Sequence, residues 1–521
     1  MRLSKILFLL VSRLAFADTY PRQLGVDAVH YTFRLTLSDA TDEIVGNATV
    51  DLRFTASGVK EFTLDLGKPM TMTGLQPELP YRHDGDKLII QLPVAPRVGE
   101  RRLFQIAYHG KPASGLRIMK NKYGDRTFFS ENWPDNARQW LPMIDHPYDK
   151  ATSEFQITAP SNYQVVANGL LEEETDLGDG RRFTHWKQGV PIVSWLNALG
   201  VAQFSVRNTG QVKGIPISTW VYYQDRDKAA ITFDEPARQA MAFFSERVGP
   251  FQYEKLANVI AAGLNGGTEH ASAIFYGERT IGDKPATRLV YHEIAHQWFG
   301  DAVTEKDWDD VWLSEGFATY FTLLAVEHYE GRDAFQAGLK RSREAIFGLD
   351  KTLPSAAVIH NNLADMKKVL NRLIYEKGGW TLHMLRVLIG DDKFMAGIRD
   401  YYQRYLNQNT TTAEFRHVME EHAGIDLEWF FDQWLQRAGL PSVEGTWSYN
   451  ADRKQVEIEL KQTQAGEPYK LPLEVAVGDK VIKLRMQGQT ERVSVSSEKA
   501  PDSVVLDPNS TTLMKASFKA K

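Results

Sequence analysis

Five consecutive residues carry the densest chemistry in the chain: His292-Glu293-Ile294-Ala295-His296. Arg288 to Tyr291 before them and Gln297 to Phe299 after them continue a helical pattern, and Gly300 is a natural stop. On a helix, side chains at i and i+4 lie one turn apart on the same face. Two imidazoles so placed can converge on one ion at about 2.0–2.1 Å. Glu293 sits beside them, placed to act as base toward a water on that ion. A catalytic zinc site takes three protein ligands and keeps one position open. Glu315, with eighteen residues between it and His296, is the expected third ligand. It falls in the first turn of a second helix that Ser314 could cap, running to about Tyr329 with Gly331 as its stop. The pentad alone arises by chance on polar helix faces. A glutamate at this offset, and Trp298 and Phe299 alongside, argue against an ordinary solvated face. The chain has no cysteine, so disulfides and thiolate sites are excluded and a metal must rest on His, Asp or Glu.

The elements that would position these residues follow from periodicity. From Asp18 to about residue 207 apolar residues alternate, as in Val29 to Leu37, Val50 to Phe54 and Phe62 to Leu66. Such alternation means an antiparallel sheet with one buried face. Asp234-Glu235-Pro236 then reads as a helix start, a capping carboxylate followed by proline in the first turn. Helical patterns dominate to about Ala438, and alternation returns from Val443. The 521 residues are therefore expected to form a multidomain α+β protein: a β region, a mostly α region and a small β region. A net charge of −5 without a basic tract argues against nucleic acid as a partner. Nothing approaches the ~18 consecutive apolar residues of a membrane span. The basic start Met1 to Lys5, the apolar run Ile6 to Val11 and Ala15-Phe16-Ala17 resemble a signal peptide over 1–17, with Arg13 as a blemish. The expected location is secreted or periplasmic, with cytoplasmic as the alternative. His146, His328 and His383 lack ligand-like spacing and read as structural.

With those residues in hand, the chain resembles the aminopeptidase N family of zinc metallopeptidases (gluzincins), which also contains leukotriene hydrolase. The family's zinc pattern is His-Glu-x-x-His, eighteen residues, then Glu, and it matches His292, Glu293, His296 and Glu315 residue for residue. Thermolysin-type endopeptidases space the third ligand one residue further. Upstream, Gly266-Gly267-Thr268-Glu269-His270 resembles the family's Gly-x-Met-Glu-Asn exopeptidase motif, with Thr268 for Met and His270 for Asn. The resemblance implies that Glu269 binds the substrate's α-ammonium and that Gly266 and Gly267 approach it through the backbone. The family's Met helps line the first specificity pocket, which puts Thr268 at that position. Tyr375-Glu376-Lys377-Gly378 resembles the segment whose tyrosine stabilises the tetrahedral intermediate. Ala137 to Pro142 with Asp145, Val166 to Gly169, and Phe430 to Leu435 are fainter echoes. The family's second amine anchor lies five residues before an arginine. Here that position holds Trp133, which leaves the nearby Glu131 as the candidate.

The implied fold is a β-rich saddle domain over 18–207, a thermolysin-like zinc domain over 208–440 and a C-terminal β-sandwich over 441–521, without the helical fourth domain that many family members carry. The implied activity is hydrolysis of N-terminal residues from peptides with one zinc ion per chain. A zinc endopeptidase, an epoxide hydrolase and a non-catalytic peptide-binding protein are the rivals.

Overall fold

The computed structural model describes residues 18–360 and 363–521; the segment 1–17 read as a signal peptide lies outside the described residues. The alternating stretches of the first part become strands. Seven of them form one sheet in the order Leu170–Asp176, Arg181–Ile192, Ala151–Pro160, Val26–Thr36, Ile44–Phe54, Arg101–Gly110, Thr71–Gln76. Its centre pairs Val26–Thr36 in parallel with Ala151–Pro160, Phe33 opposite Phe155. A second sheet runs Gln164–Ala167, Leu199–Ala202, Arg126–Glu131, Gly115–Lys120. The inward side chains, Phe33, Val50, Phe104 and Phe155 among them, close a hydrophobic core belonging to this domain.

The strand Phe204–Val212 straddles the boundary expected at 207 and pairs with Ile215–Tyr222, which opens the next domain's sheet. That sheet continues through Leu256–Ala261 and Ala273–Gly277 and ends at the two-residue edge strand Gly267–Thr268. Helices α1 (Glu235–Arg247) and α2 (Thr287–His296) pack against it, α3 (Trp312–Glu330) packs on α2, and α4 (Arg332–Thr352) and α5 (Arg372–Ile389) pack on α3. Pro236 sits in the first turn of α1 as expected. Asp234 does not cap it; its carboxylate takes Thr209 Oγ1 at 3.0 Å and the Arg207 guanidinium at 3.0 Å instead. Those partners sit on the neighbouring strand, so a tertiary ion pair replaces the local cap.

α3 begins at Trp312, two residues before Ser314, so Ser314 is inside the helix and not its cap. Gly331 ends it as expected, at φ 92. Almost every side of α3 is buried, from Trp312 through Val326. α3 and α5 cross at glycines: a Cβ on Gly316 would lie 3.0 Å from the Gly378 backbone. The contact brings Glu315 and Tyr375, each next to the crossing, toward one another. Asn371 caps α5 by accepting from Leu373 N.

From Ser442 the chain forms two further sheets, one of four strands and one of three. Their buried residues, Val443, Ile458, Leu473 and Val475 among them, belong to the same core as α2, α3 and α5. No helix among the described residues is long and apolar enough to cross a membrane.

Candidate active site

α2 presents His292 and His296 on one face, and the start of α3 brings Glu315 against them. His296 Nε2 lies 3.2 Å from His292 Nε2 and 3.3 Å from Glu315 Oε2; His292 Nε2 lies 3.4 Å from the same oxygen. Tetrahedral ligands at 2.0–2.1 Å from a zinc ion are about 3.3–3.4 Å apart. The triangle therefore has the size that ion requires. Glu315 Oε2 is buried without a hydrogen-bond donor, and a cation held by the triangle would satisfy it. His296 Nδ1 faces the Phe299 carbonyl at 3.1 Å and Ser314 Oγ at 3.0 Å. Donation from Nδ1 to that carbonyl leaves Nε2 unprotonated toward the triangle, the tautomer a metal ligand needs. The serine expected as a cap thus orients a histidine on the other helix. His292, His296 and Glu315 are the group of metal-ligating side chains found among the described residues.

A cleft of about 500 Å³ opens over the triangle. Its lining includes Glu131, Gly266, Gly267, Thr268, Glu269, Glu293 and Tyr375, with the three candidate ligands. Glu293 is 4 % exposed. Burial raises its pKa well above the carboxylate range, His296 opposes the rise, and Glu269 and Glu315 add to it. At Gly267 a Cβ would overlap the Glu293 carboxylate, so a larger residue there would displace that side chain. Tyr375 stacks over His292 with ring centroids 6.1 Å apart. Burial raises its hydroxyl's pKa, and Glu315 raises it further.

Glu269 is buried, and its Oε1 has no hydrogen-bond partner. Burial lifts its carboxyl, His296 opposes this, and Glu315 and Glu131 raise it again. Glu131 sits at the end of the strand Arg126–Glu131 and takes the Thr268 hydroxyl at 3.4 Å. The Trp133 position does line the cleft, but it packs an indole against Trp308 at 5.0 Å. His270 turns away from the metal ligands, fully buried, with its ring edge-on to Phe275 at 4.9 Å. His146 and His383 are structural as expected, bonded to Asp18 at 2.8 Å and to the Ser510 carbonyl at 2.9 Å.

Three residues escaped the sequence reading. Arg117 lines the cleft beside Glu131 and donates to the Gly263 carbonyl. Leu370 closes another wall. Gln297, directly after His296, bonds the backbone of the Glu269 segment. Its position, a buried amide between a ligand and Trp298, was the available signal.

Two family models match the chain: the peptidase M1 N-terminal domain over residues 27–196 and the peptidase family M1 domain over residues 235–434. The chain belongs to peptidase family M1. Both halves of the cleft fall inside these matches, Glu131 in the first and the metal triangle in the second. Relatives include glutamyl aminopeptidase of Sus scrofa, 27% identical over 60% of this chain and 35% of that one. Probable aminopeptidase 2 of Sulfurisphaera tokodaii is 26% identical over 70% of this chain and 48% of its own length. The alignments thus span about a third of the glutamyl aminopeptidases, 34% to 38%. A crystal structure of Legionella pneumophila aminopeptidase A in complex with aspartic acid shares the fold, with TM-score 0.81 and 20% identity, over 96% of this chain and 60% of that one. M1 peptidases are zinc-dependent in general, in keeping with the His, His, Glu donor set here.

Proposed function

We propose that this protein is a zinc metallo-aminopeptidase that removes N-terminal residues from peptides, binding one zinc ion per chain through His292, His296 and Glu315. The carrying observation is the pair of carboxylates in the cleft that holds the metal triangle, Glu269 buried and Glu131 half-buried. Two carboxylates beside a metal suit a free α-ammonium and disfavour an acylated, uncharged amine. Zinc, when bound, supplies a Lewis acid that polarises the scissile carbonyl and acidifies the attacking water. Glu293 accepts that water's proton and hands it to the leaving amine; its raised pKa suits a group that must hold the proton in between. The Tyr375 hydroxyl donates to the carbonyl oxygen as charge develops on it. Gly266 and Gly267, on the free edge of the sheet, offer backbone groups to an extended peptide.

Arg117 supports a narrower reading, a preference for an acidic first residue. Among the described residues it is the one Lys or Arg lining the cleft. It lies on the same face of the paired strands as Glu131, one diagonal step away. Relatives named glutamyl aminopeptidase point the same way. The domain limits 18–207, 208–440 and 441–521 are carried forward in this reading. The shared core of the two C-terminal sheets supports a β-sandwich there. The start of the chain supports export with cleavage after Ala17. N-terminal sequencing of exported protein would then begin at Asp18.

The test is a panel of aminoacyl fluorogenic reporters against N-blocked, internally quenched peptides, each with and without chelator. Chelator-sensitive turnover of the free-amine reporters, highest for Glu and Asp, is expected. Faster turnover of the blocked peptides would replace the aminopeptidase with an endopeptidase.

A further inference from the structure

The segment carrying Glu269 ends in a strained residue. Ser272 is fully buried and has φ +61, a left-handed conformation that few residues other than glycine adopt. Such a conformation persists only where the surroundings over-determine it. Here they do. Gly169 N donates to Ser272 Oγ at 2.8 Å, Lys255 Nζ donates to the same oxygen at 3.3 Å, and Asn168 Nδ2 donates to the Ala271 carbonyl at 2.6 Å.

The opposite side of the segment is held by one side chain. Gln297 is 1 % exposed and follows His296 directly. Its Nε2 donates to the Glu269 carbonyl at 3.0 Å, with the His270 carbonyl at 3.4 Å and Asp301 Oδ2 at 2.7 Å also facing it. Its Oε1 accepts from Ser272 N at 2.8 Å. Acceptors all face the nitrogen and the donor faces the oxygen, so one amide orientation satisfies the whole set. Gln297 therefore ties both ends of the Glu269–Ser272 segment to the end of the helix that bears the two histidines.

We infer that Gln297 is a positioning residue that sets the distance between the amine anchor Glu269 and the metal ligands. This rests on the aminopeptidase reading. The distance matters because an N-terminal residue is a short ruler: its ammonium nitrogen and carbonyl carbon are about 2.5 Å apart by covalent geometry. A carboxylate displaced by about 1 Å from its seat loses on the order of 10²-fold in productive alignment. An amide with three partners across that gap is a stiff spacer, and among the described residues no other side chain of α2 or the residues after it bonds the segment's backbone.

Two variants test it. Gln297→Met keeps length and bulk without the hydrogen bonds, and Gln297→Glu keeps an acceptor for Ser272 N while losing the donors. Binding is measured by calorimetry on the zinc-loaded protein with two probes. Acetohydroxamic acid addresses the metal alone; alanine hydroxamate adds an α-ammonium. Wild type should favour the amine-bearing probe. Both variants should lose about tenfold or more of that preference, bind acetohydroxamic acid within about twofold of wild type, and retain their zinc by metal analysis. Equal weakening of both probes would make Gln297 a support of the metal site or the fold. An unchanged preference in the variants would leave it no role in positioning. Absence of any preference in wild type is a separate result that removes the aminopeptidase reading itself, and this inference with it.

Discussion

Glu293 and Arg117 mark two kinds of residue in one cleft. Glu293 faces the triangle from the same helix turn as its histidines, and removing its basicity leaves the ligands untouched. Glu293→Gln should lower kcat by about 10²–10⁴-fold with zinc content unchanged, measured by turnover and metal analysis together. Near-normal turnover would remove it as the base. Arg117→Gln should lower kcat/KM for Glu- and Asp-reporters by about tenfold and leave Ala- and Leu-reporters nearly unchanged. A uniform loss would instead assign Arg117 to holding the 263–267 loop through the Gly263 carbonyl. The first residue was legible in the sequence and the second was not, for a physical reason. Helical spacing is local, so the pentad declares its own geometry. Arg117 reaches Glu131 only through cross-strand register, and nothing within five residues of it marks that pairing. Glu131 itself was findable only as a near neighbour of the expected position.

At the level of elements, the crossing of α3 and α5 sets where Glu315 and Tyr375 stand. Gly316→Val would drive a side chain into the Gly378 backbone, 3.0 Å from the added Cβ, and toward the Ile374 carbonyl at 3.2 Å. Overpacking of this kind costs about 1–3 kcal/mol, so the melting temperature should fall. Zinc affinity and kcat should fall with it because the proposed ligand Glu315 and the proposed oxyanion donor Tyr375 move apart. A variant that melts early but binds and turns over normally would show the crossing to be structural only. The extent of α3 was read correctly at its end and misread at its start. Gly331 stops the helix by local backbone conformation, which sequence displays. Ser314 matched the cap pattern, yet its hydroxyl serves His296 on another helix at 3.0 Å. Asp234 misled in the same way, its carboxylate spent on Arg207 and Thr209. Polar side chains near helix starts have several bidders, and only tertiary structure says which one succeeds.

Across the whole molecule, the order of β, α and β regions was legible because period 2 and period 3.6 differ throughout each stretch. How the first two domains seat on one another was not. Buried ammonium groups hold that seam: Lys150 Nζ donates to the Asp301 and Ala302 carbonyls at 2.9 and 3.0 Å, and Lys255 Nζ to the Ala167 carbonyl at 2.9 Å. Beside Lys150, Asp149 gives a pH signature to the global stability. Burial pushes its carboxyl up to about 8, the Ala28 N–H opposes this, and Asp27 adds to it. Between the ordinary 3.8 and 8 the folded chain keeps a proton that the unfolded chain releases, so stability falls as pH rises through that window. Asp149→Asn escapes this, and its melting temperature should gain on wild type steadily from pH 4 to 8 and no further. A pH-independent difference would rule out a titrating Asp149. The seam has one more consequence. His292, His296 and Glu315 stand on two helices of one domain, whereas the proposed seats for a substrate's amine come from either side of the seam, Glu131 from one domain and Glu269 from the other. Gentle warming or dilute urea therefore threatens them unequally. As the two domains loosen, discrimination between free and blocked termini should fade first, because the three candidate ligands all belong to one domain; the expected order of failure is fidelity, then metal, then fold.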